Sequence, residues 1–314
     1  MQIGILEHNN FSSEAISILK KIGSVNLFNP EKQNLNKFLA DKEIIFVRLN
    51  YMLNEEVLNV APKLKYICSP TTGLNHIDKP FCKKRNIKIV SLKGEKAFLK
   101  NIRATPEHTL GLILALFRNY KNAFLSKSNK NWNRDLYRGY EVYNHSFGII
   151  GYGRVGKIVA KYLLNMGARI SVFDINRVQS KNNKVTIQRD INTLIKNSDT
   201  IILSASYSDN APFVIGKKQL DLMKGKYFVN TSRGELVDEA DLINKLKQNF
   251  FKGVAMDVLA NENNAHNNLN TFLALESSNN LIITPHIGGA TYTSMANTEI
   301  FIANKLSKAL NLFN

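Results

Sequence analysis

Short aliphatic and β-branched runs alternate along this chain with stretches whose apolar side chains recur every three or four residues. That alternation predicts strands and amphipathic helices in turn, the pattern of a doubly wound α/β fold with parallel sheets. In the first hundred residues the runs at 3–6, 25–28, 44–47, 64–68 and 88–90 read as strands. Between the first two, Ala15, Ile16, Leu19 and Ile22 share one helical face, and Ser12 is placed to cap that helix.

A single long helix is predicted over 106–124. Pro106 lies in its first turn, where a missing N–H costs nothing, and Leu110, Ile113, Leu114 and Phe117 form its apolar stripe. A polar stretch follows over 126–144, dotted with aromatics that include Trp132. A second strand–helix alternation runs from 146 to 289. The segment 291–313 then reads as a helix with Ile302, Leu306 and Leu310 four residues apart. There is no repeat of 20 to 50 residues. The pattern divides the chain into a domain made of residues 1–97 and 290–314, with a second domain, 98–289, inserted in it.

With 314 residues, 44% of them hydrophobic, the chain can bury two cores. Its formal charge of +17 raises the question of nucleic acid, but the Lys and Arg residues are scattered among Asn residues and form no basic–aromatic cluster. No nucleic-acid partner is expected. The first residues read as a strand and not as a signal peptide, and no apolar run is long enough to span a bilayer. The two cysteines, Cys68 and Cys82, lack metal-ligand spacing, so a cytoplasmic protein without metal or membrane partner is expected.

One motif carries specific chemistry. The apolar run Phe147-Gly148-Ile149-Ile150 leads directly into Gly151-Tyr152-Gly153-Arg154-Val155-Gly156, followed by a helical stretch and a second strand that ends at Asp174. This is a G-x-G-x-x-G phosphate loop in the strand–turn–helix setting of a Rossmann domain, with an acid 18 residues past Gly156. Gly151 permits the tight turn and Gly153 lets backbone approach a pyrophosphate. The helix, read over 157–166, meets its charge with the amides at its N-terminus, Arg154 and Val155 are expected at the cofactor, and Gly156 lets helix and strand pack closely. Asp174 would bind the ribose and disfavour a 2′-phosphate, so NAD is the expected cofactor, with Arg177 nearby as a competing influence.

Three more strand ends carry reactive side chains: Arg233 after an apolar run at 227–230, Glu262 in the polar loop beyond 253–258, and His286 after 281–283. An imidazole suits proton transfer to and from a hydroxyl oxygen while hydride moves at its carbon, a carboxylate on its ring stabilises imidazolium, and a guanidinium holds a substrate carboxylate bidentately. These groups together match hydride exchange between a 2-hydroxy acid and a nicotinamide.

At this point the sequence resembles the D-isomer-specific 2-hydroxyacid dehydrogenases over nearly its whole length. The resemblance rests on Gly151–Gly156, Asn230-Thr231-Ser232-Arg233-Gly234-Glu235-Leu236-Val237-Asp238, Asp257-Val258 with Glu262, and Pro285-His286-Ile287-Gly288-Gly289. It implies a Rossmann NAD-binding domain inserted in a flavodoxin-like substrate domain, in a homodimer acting on a small 2-hydroxy or 2-keto acid. Arg233, Glu262 and His286 would be catalytic, Thr231 and Asp257 would lie at the cofactor, and Arg48, Thr72 and Gly73 would bind substrate. Within the family the chain looks most like the phosphoglycerate-dehydrogenase branch, without the regulatory extension some of those enzymes have. Arg48 with the basic 93–103 segment predicts preference for a second anionic group such as a phosphate. A non-catalytic NAD(H)-sensing protein of the same fold is the alternative.

The chain departs from the family pattern in two places. Asn263 stands where a proline usually follows the glutamate, and Ser204-Ala205-Ser206 replaces a common His-x-Pro. Among the other histidines, His108 reads as a packing or hinge residue.

Overall fold

The computed structural model describes residues 1–125, 132–176, 183–207, 212–262, 264 and 267–310. They form two compact units, one of residues 1–102 and 290–314 and the other of residues 103–289.

The first unit is built on five strands: β1 (Gln2–Ile5), β2 (Ser24–Leu27), β3 (Ile44–Phe46), β4 (Tyr66–Ser69) and β5 (Lys88–Ser91), in the order β2-β1-β3-β4-β5, all parallel. A parallel sheet needs cover on both faces, and two separate cores supply it. On one face Ile3, Ile5 and Phe46 meet Leu19 of helix Ser13–Lys20 and Ile302, Ala303 and Leu306 of helix Tyr292–Ala309. On the other, Ile45 and Ile67 pack with Phe38, Leu58 and Phe81 from the connecting helices. Ser12 caps its helix as its position suggests, accepting from the Ala15 amide at 3.2 Å. Cys68 and Cys82 are buried here as small hydrophobes, and burial pushes the Cys82 thiol up to about 11.

The second unit holds β6 (Ser146–Ile150), β7 (Arg169–Phe173), β8 (Val185–Ile187), β9 (Thr200–Leu203), β10 (Tyr227–Asn230), β11 (Gly253–Met256) and β12 (Leu281–Ile283). Their order is β12-β11-β10-β9-β6-β7-β8, again parallel throughout. This is the Rossmann arrangement, its order reversing between β6 and β9. Both sheets are therefore parallel and doubly wound, as the alternation predicts.

The long helix expected over 106–124 is two helices, Ala104–Phe117 and Tyr120–Leu125. Asn119 breaks it by taking a left-handed φ of 50°, a conformation that asparagine tolerates better than most residues, and its side-chain amide donates to the Arg138 carbonyl at 3.0 Å. The first of the two begins two residues before Pro106, which still leaves the proline among the first-turn positions that need no donor. No helix among the described residues is long and apolar enough to cross a membrane.

Candidate active site

The register of the seven-stranded sheet sets the site. Ile150, Phe173, Leu203, Asn230, Met256 and Ile283 are aligned across neighbouring parallel strands. The residues one position further on form a single row at the carboxyl edge: Gly151, Asp174, Ser204, Thr231, Asp257 and Thr284. Ligands of open α/β sheets bind beyond that edge, at the point where strand order reverses.

Gly151 has a φ of +94°, and a Cβ there would sit 2.4 Å from the Ala205 nitrogen, so only glycine fits beside β9. Its carbonyl accepts from Ser204 Oγ at 2.9 Å, which ties the two strand ends at the switch point. At Gly153 no atom lies within 4 Å of an added Cβ, leaving open space over the start of helix Arg154–Asn165. Asp174 accepts from the Tyr152 amide at 2.8 Å and the Asn176 amide at 2.9 Å, joining the acid directly to the glycine loop. Burial lowers the Arg154 pKa, and the nearby Arg103 charge lowers it further. Open space, helix amides and two neighbouring guanidiniums together fit a pyrophosphate, so the residues present suit a dinucleotide.

Arg233 follows β10 on a turn fixed from within. Buried Asn230 accepts from the Ser232 amide and donates to the Arg233 carbonyl, both at 3.0 Å. Ser232 Oγ donates to the Ala205 carbonyl, and Arg233 Nη1 to the Ser232 carbonyl at 2.7 Å. Burial lowers the Arg233 pKa, opposed by the charges of Glu262, Glu235 and Asp257. Gly234 brings this turn against the loop after β11, where a Cβ would lie 1.9 Å from the Leu259 carbonyl carbon.

That same loop carries Glu262, whose Oε1 accepts from the Leu259 amide at 3.2 Å. Without a following proline the loop is held by other means. Glu239 Oε1 accepts from the Ala260 amide at 2.7 Å and its Oε2 from Asn268 Nδ2 at 2.8 Å, while Asn267 Nδ2 donates to the Glu262 carbonyl at 3.0 Å. Burial raises the Glu239 pKa.

His286 Nδ1 lies 2.6 Å from Glu262 Oε2, and among the described residues its Nε2 has no partner. The histidine has a left-handed φ of 53°. Such a conformation costs on the order of 1–2 kcal/mol unless the surroundings impose it. They do: its amide donates to the Asp257 and Thr284 carbonyls at 2.8 and 2.9 Å. The next two amides, Ile287 and Gly288, donate to Asp257 Oδ1 and Oδ2 at 2.9 and 2.8 Å. Burial would raise the Asp257 pKa, but donors from His108 and Thr284 outweigh it and hold the carboxyl below its ordinary 3.8. Thr231 Oγ1 pairs with Thr109 Oγ1 at 2.8 Å and is buried.

The structure thus brings Arg233, Glu262, His286, Asp257, Thr231, Asp174 and the glycine loop to one edge of one sheet. In the five-stranded unit Thr72 and Gly73 follow β4, on a loop braced by Thr71 Oγ1, which contacts Ser69 Oγ and the Gly73 carbonyl at 2.8 Å each. Among the described residues neither the Thr72 nor the Gly73 amide has an acceptor. Arg48 lies two residues past β3. Its Nε and Nη2 donate to buried Glu299 at 3.0 and 2.5 Å, and its Nη1 to the Asn9 carbonyl at 3.2 Å. It therefore bonds within its own unit. Sequence reading missed Glu239 and the part His108 plays, because neither stands in a motif; each is found only through its partners. Arg177, Asn263 and His266 lie outside the described residues.

The chain is similar to several known proteins. The NAD-binding domain of the D-isomer-specific 2-hydroxyacid dehydrogenases matches residues 110–288. D-3-phosphoglycerate dehydrogenase of Methanocaldococcus jannaschii is 30% identical over 98% of this chain, which spans 57% of that relative's length. A Staphylococcus saprophyticus protein named as a 2-hydroxyacid dehydrogenase is also 30% identical, over 90% of this chain and 86% of its own. The structure of Aquifex aeolicus D-lactate dehydrogenase with NAD and lactic acid superposes with a TM-score of 0.85 at 26% identity, covering 99% and 96% of the two chains. The chain belongs to the D-isomer-specific 2-hydroxyacid dehydrogenase family, and its seven-stranded unit is that family's NAD-binding domain.

Proposed function

We propose that this chain is an NAD-dependent oxidoreductase that interconverts a D-2-hydroxy acid and its 2-keto acid. The observation that carries the reading is the His286–Glu262 pair at 2.6 Å, with His286 Nε2 unpartnered among the described residues, on the sheet edge that bears the phosphate loop. When bound, the reduced nicotinamide supplies a hydride and its oxidised form accepts one. In reduction, imidazolium at His286 gives its Nε2 proton to the keto oxygen as hydride reaches C2, forming the hydroxyl. Oxidation runs the same transfers backwards. Glu262 fixes the ring through Nδ1 and stabilises imidazolium. Arg233 holds the substrate carboxylate and polarises the carbonyl.

Asp174 binds the ribose hydroxyls in this reading. Wild-type kcat/KM is expected to favour NADH over NADPH by at least about tenfold, through loss of charge-assisted contacts and repulsion of a 2′-phosphate. Asp174→Ala should narrow that ratio; a wild-type preference for NADPH would overturn the assignment.

The substrate is a compact 2-keto acid with a single carboxylate. Arg48 is engaged with Glu299, and Lys93, Lys96 and Lys100 are exposed, where a screened, flexible cation discriminates weakly. The expectation of a second anionic group thereby loses its best-placed cation. The Aquifex aeolicus neighbour, a D-lactate dehydrogenase, supports this choice, while the Methanocaldococcus jannaschii relative points toward phosphoglycerate. NADH oxidation should be screened across 2-keto acids, with pyruvate and phosphohydroxypyruvate in direct competition. Pyruvate is expected to win. Preference for phosphohydroxypyruvate would support a second anionic group on the substrate, and NADH binding without any turnover would favour a sensing protein. Exposed Phe124, Leu125 and Trp132 support a homodimer, which light scattering should detect as twice the mass of one chain.

A further inference from the structure

We propose that His108 is a positioning residue for the reaction: through Asp257 it clamps the backbone strap that carries His286. The proposal rests on the dehydrogenase reading for its kinetic consequence, but its geometry stands independently.

His108 lies in helix Ala104–Phe117, far in sequence from every motif of the site. Its Nε2 is 3.1 Å from Asp257 Oδ1 and 3.2 Å from Thr284 Oγ1. Thr284 Oγ1 donates its own proton to Asp257 Oδ1 at 2.6 Å, so both oxygens facing the ring act as acceptors. The proton on the facing side of His108 must therefore sit on Nε2. Asp257 is 1% exposed and collects four donors: Thr284 Oγ1, Ile287 N and His108 Nε2 on Oδ1, and Gly288 N on Oδ2. Two of these are consecutive amides of the strap, and the strap begins at a histidine in a left-handed conformation. A Cβ on Gly288 would lie 2.8 Å from Asp257 Oδ2 and 3.6 Å from His108 Cδ2, so ring, carboxylate and strap are in close contact.

The physical consequence follows from the carboxylate's rotation. With three donors on Oδ1, two of them side chains from other elements, the Asp257 carboxylate has one orientation in which Ile287 and Gly288 are both satisfied. Without His108 it is held by Thr284 alone among side chains, and water can compete for the lone pair vacated. The strap amides are then free to detach and His286 to leave its left-handed well. The catalytic ring moves although nothing has touched it.

Three variants separate this from general loss of structure. His108→Ala removes the donor, His108→Asn shortens its reach, and His108→Gln restores an N–H at nearly the same distance from the backbone. Hydrogen–deuterium exchange of the Ile287 and Gly288 amides, measured on the protein without added ligand, is expected to speed up about tenfold or more in the alanine and asparagine variants and to return near wild type in the glutamine variant. Turnover at saturating NADH is expected to fall by about ten- to a hundredfold in the alanine variant, with NADH affinity within about threefold of wild type and recovery in the glutamine variant. Adding His108→Ala to Asp257→Asn should cost less than about twofold more, since both act through one carboxylate. Unchanged exchange in the alanine variant, equal losses in all three variants, or an additive double mutant would overturn the clamp. Absence of turnover in the wild type would instead overturn the dehydrogenase reading, and the exchange measurement would still decide the clamp.

Discussion

Replacing His286 with alanine is expected to lower kcat for 2-keto acid reduction about 10³-fold, while the Kd for NADH stays within about threefold. The two effects separate because the groups are separate. In the proposed reading Gly151, Gly153 and Asp174 cradle the cofactor around β6 and β7, whereas His286, the proposed proton donor, follows β12. Stopped-flow reduction with single-turnover analysis, alongside fluorescence titration of NADH, measures both. Lost NADH affinity with normal turnover would remove His286 from the chemistry. In the wild type, reduction should slow and oxidation quicken as pH rises, because reduction takes up a proton and oxidation releases one. The strap does not confuse that profile. Asp257 titrates below 3.8, so the stability its charge contributes is present above that value and is lost only as pH falls through its lowered pKa.

Gly234→Ala is expected to cost about 10²-fold in kcat/KM, and to lower the melting temperature, without any reactive group being removed. A methyl group 1.9 Å from the Leu259 carbonyl carbon overlaps main chain, which cannot rotate aside as a side chain can. Either the Arg233 turn or the loop leading to Glu262 must retreat by about an ångström, and misplacement on that scale costs about two orders of magnitude. Because Arg233 and Glu262 lie on the two sides of that contact, substrate hold and proton transfer should suffer together. Steady-state kinetics with calorimetry tests this. Native kcat/KM in a folded Gly234→Ala protein would show that the contact is not needed for the geometry.

Much of this was legible in the sequence for a physical reason: parallel strands buried on both faces, such as β10 and β11, are mainly apolar runs, and such runs are visible. The phosphate loop and the residues closing strands were equally plain, since their chemistry is local. Interactions that depend on partners distant in sequence were not. Arg48 lies two residues past β3, and buried Glu299, 251 residues away, takes its guanidinium. His108 looked like packing because Asp257 and Thr284 reach it from 149 and 176 residues away. The broken helix was missed because one asparagine in a left-handed conformation interrupts an otherwise regular apolar stripe.

The five-stranded unit draws its core from both ends of the chain, and this has a consequence for how the protein is made. Ile3, Ile5 and Leu19 leave the ribosome early, but Ile302, Ala303 and Leu306, which close over them, emerge only after the whole of residues 103–289. At about 5–20 residues per second, that delay is roughly 10–40 s. The inserted unit is contiguous and can fold during it, while one face of the first sheet, covered by helix Ser13–Lys20 but not yet by the last helix, stays partly open to aggregation. A circular permutant whose synthesis begins at residue 290 would supply the covering helix first. It should leave the ribosome with less exposed apolar surface and depend less on chaperones.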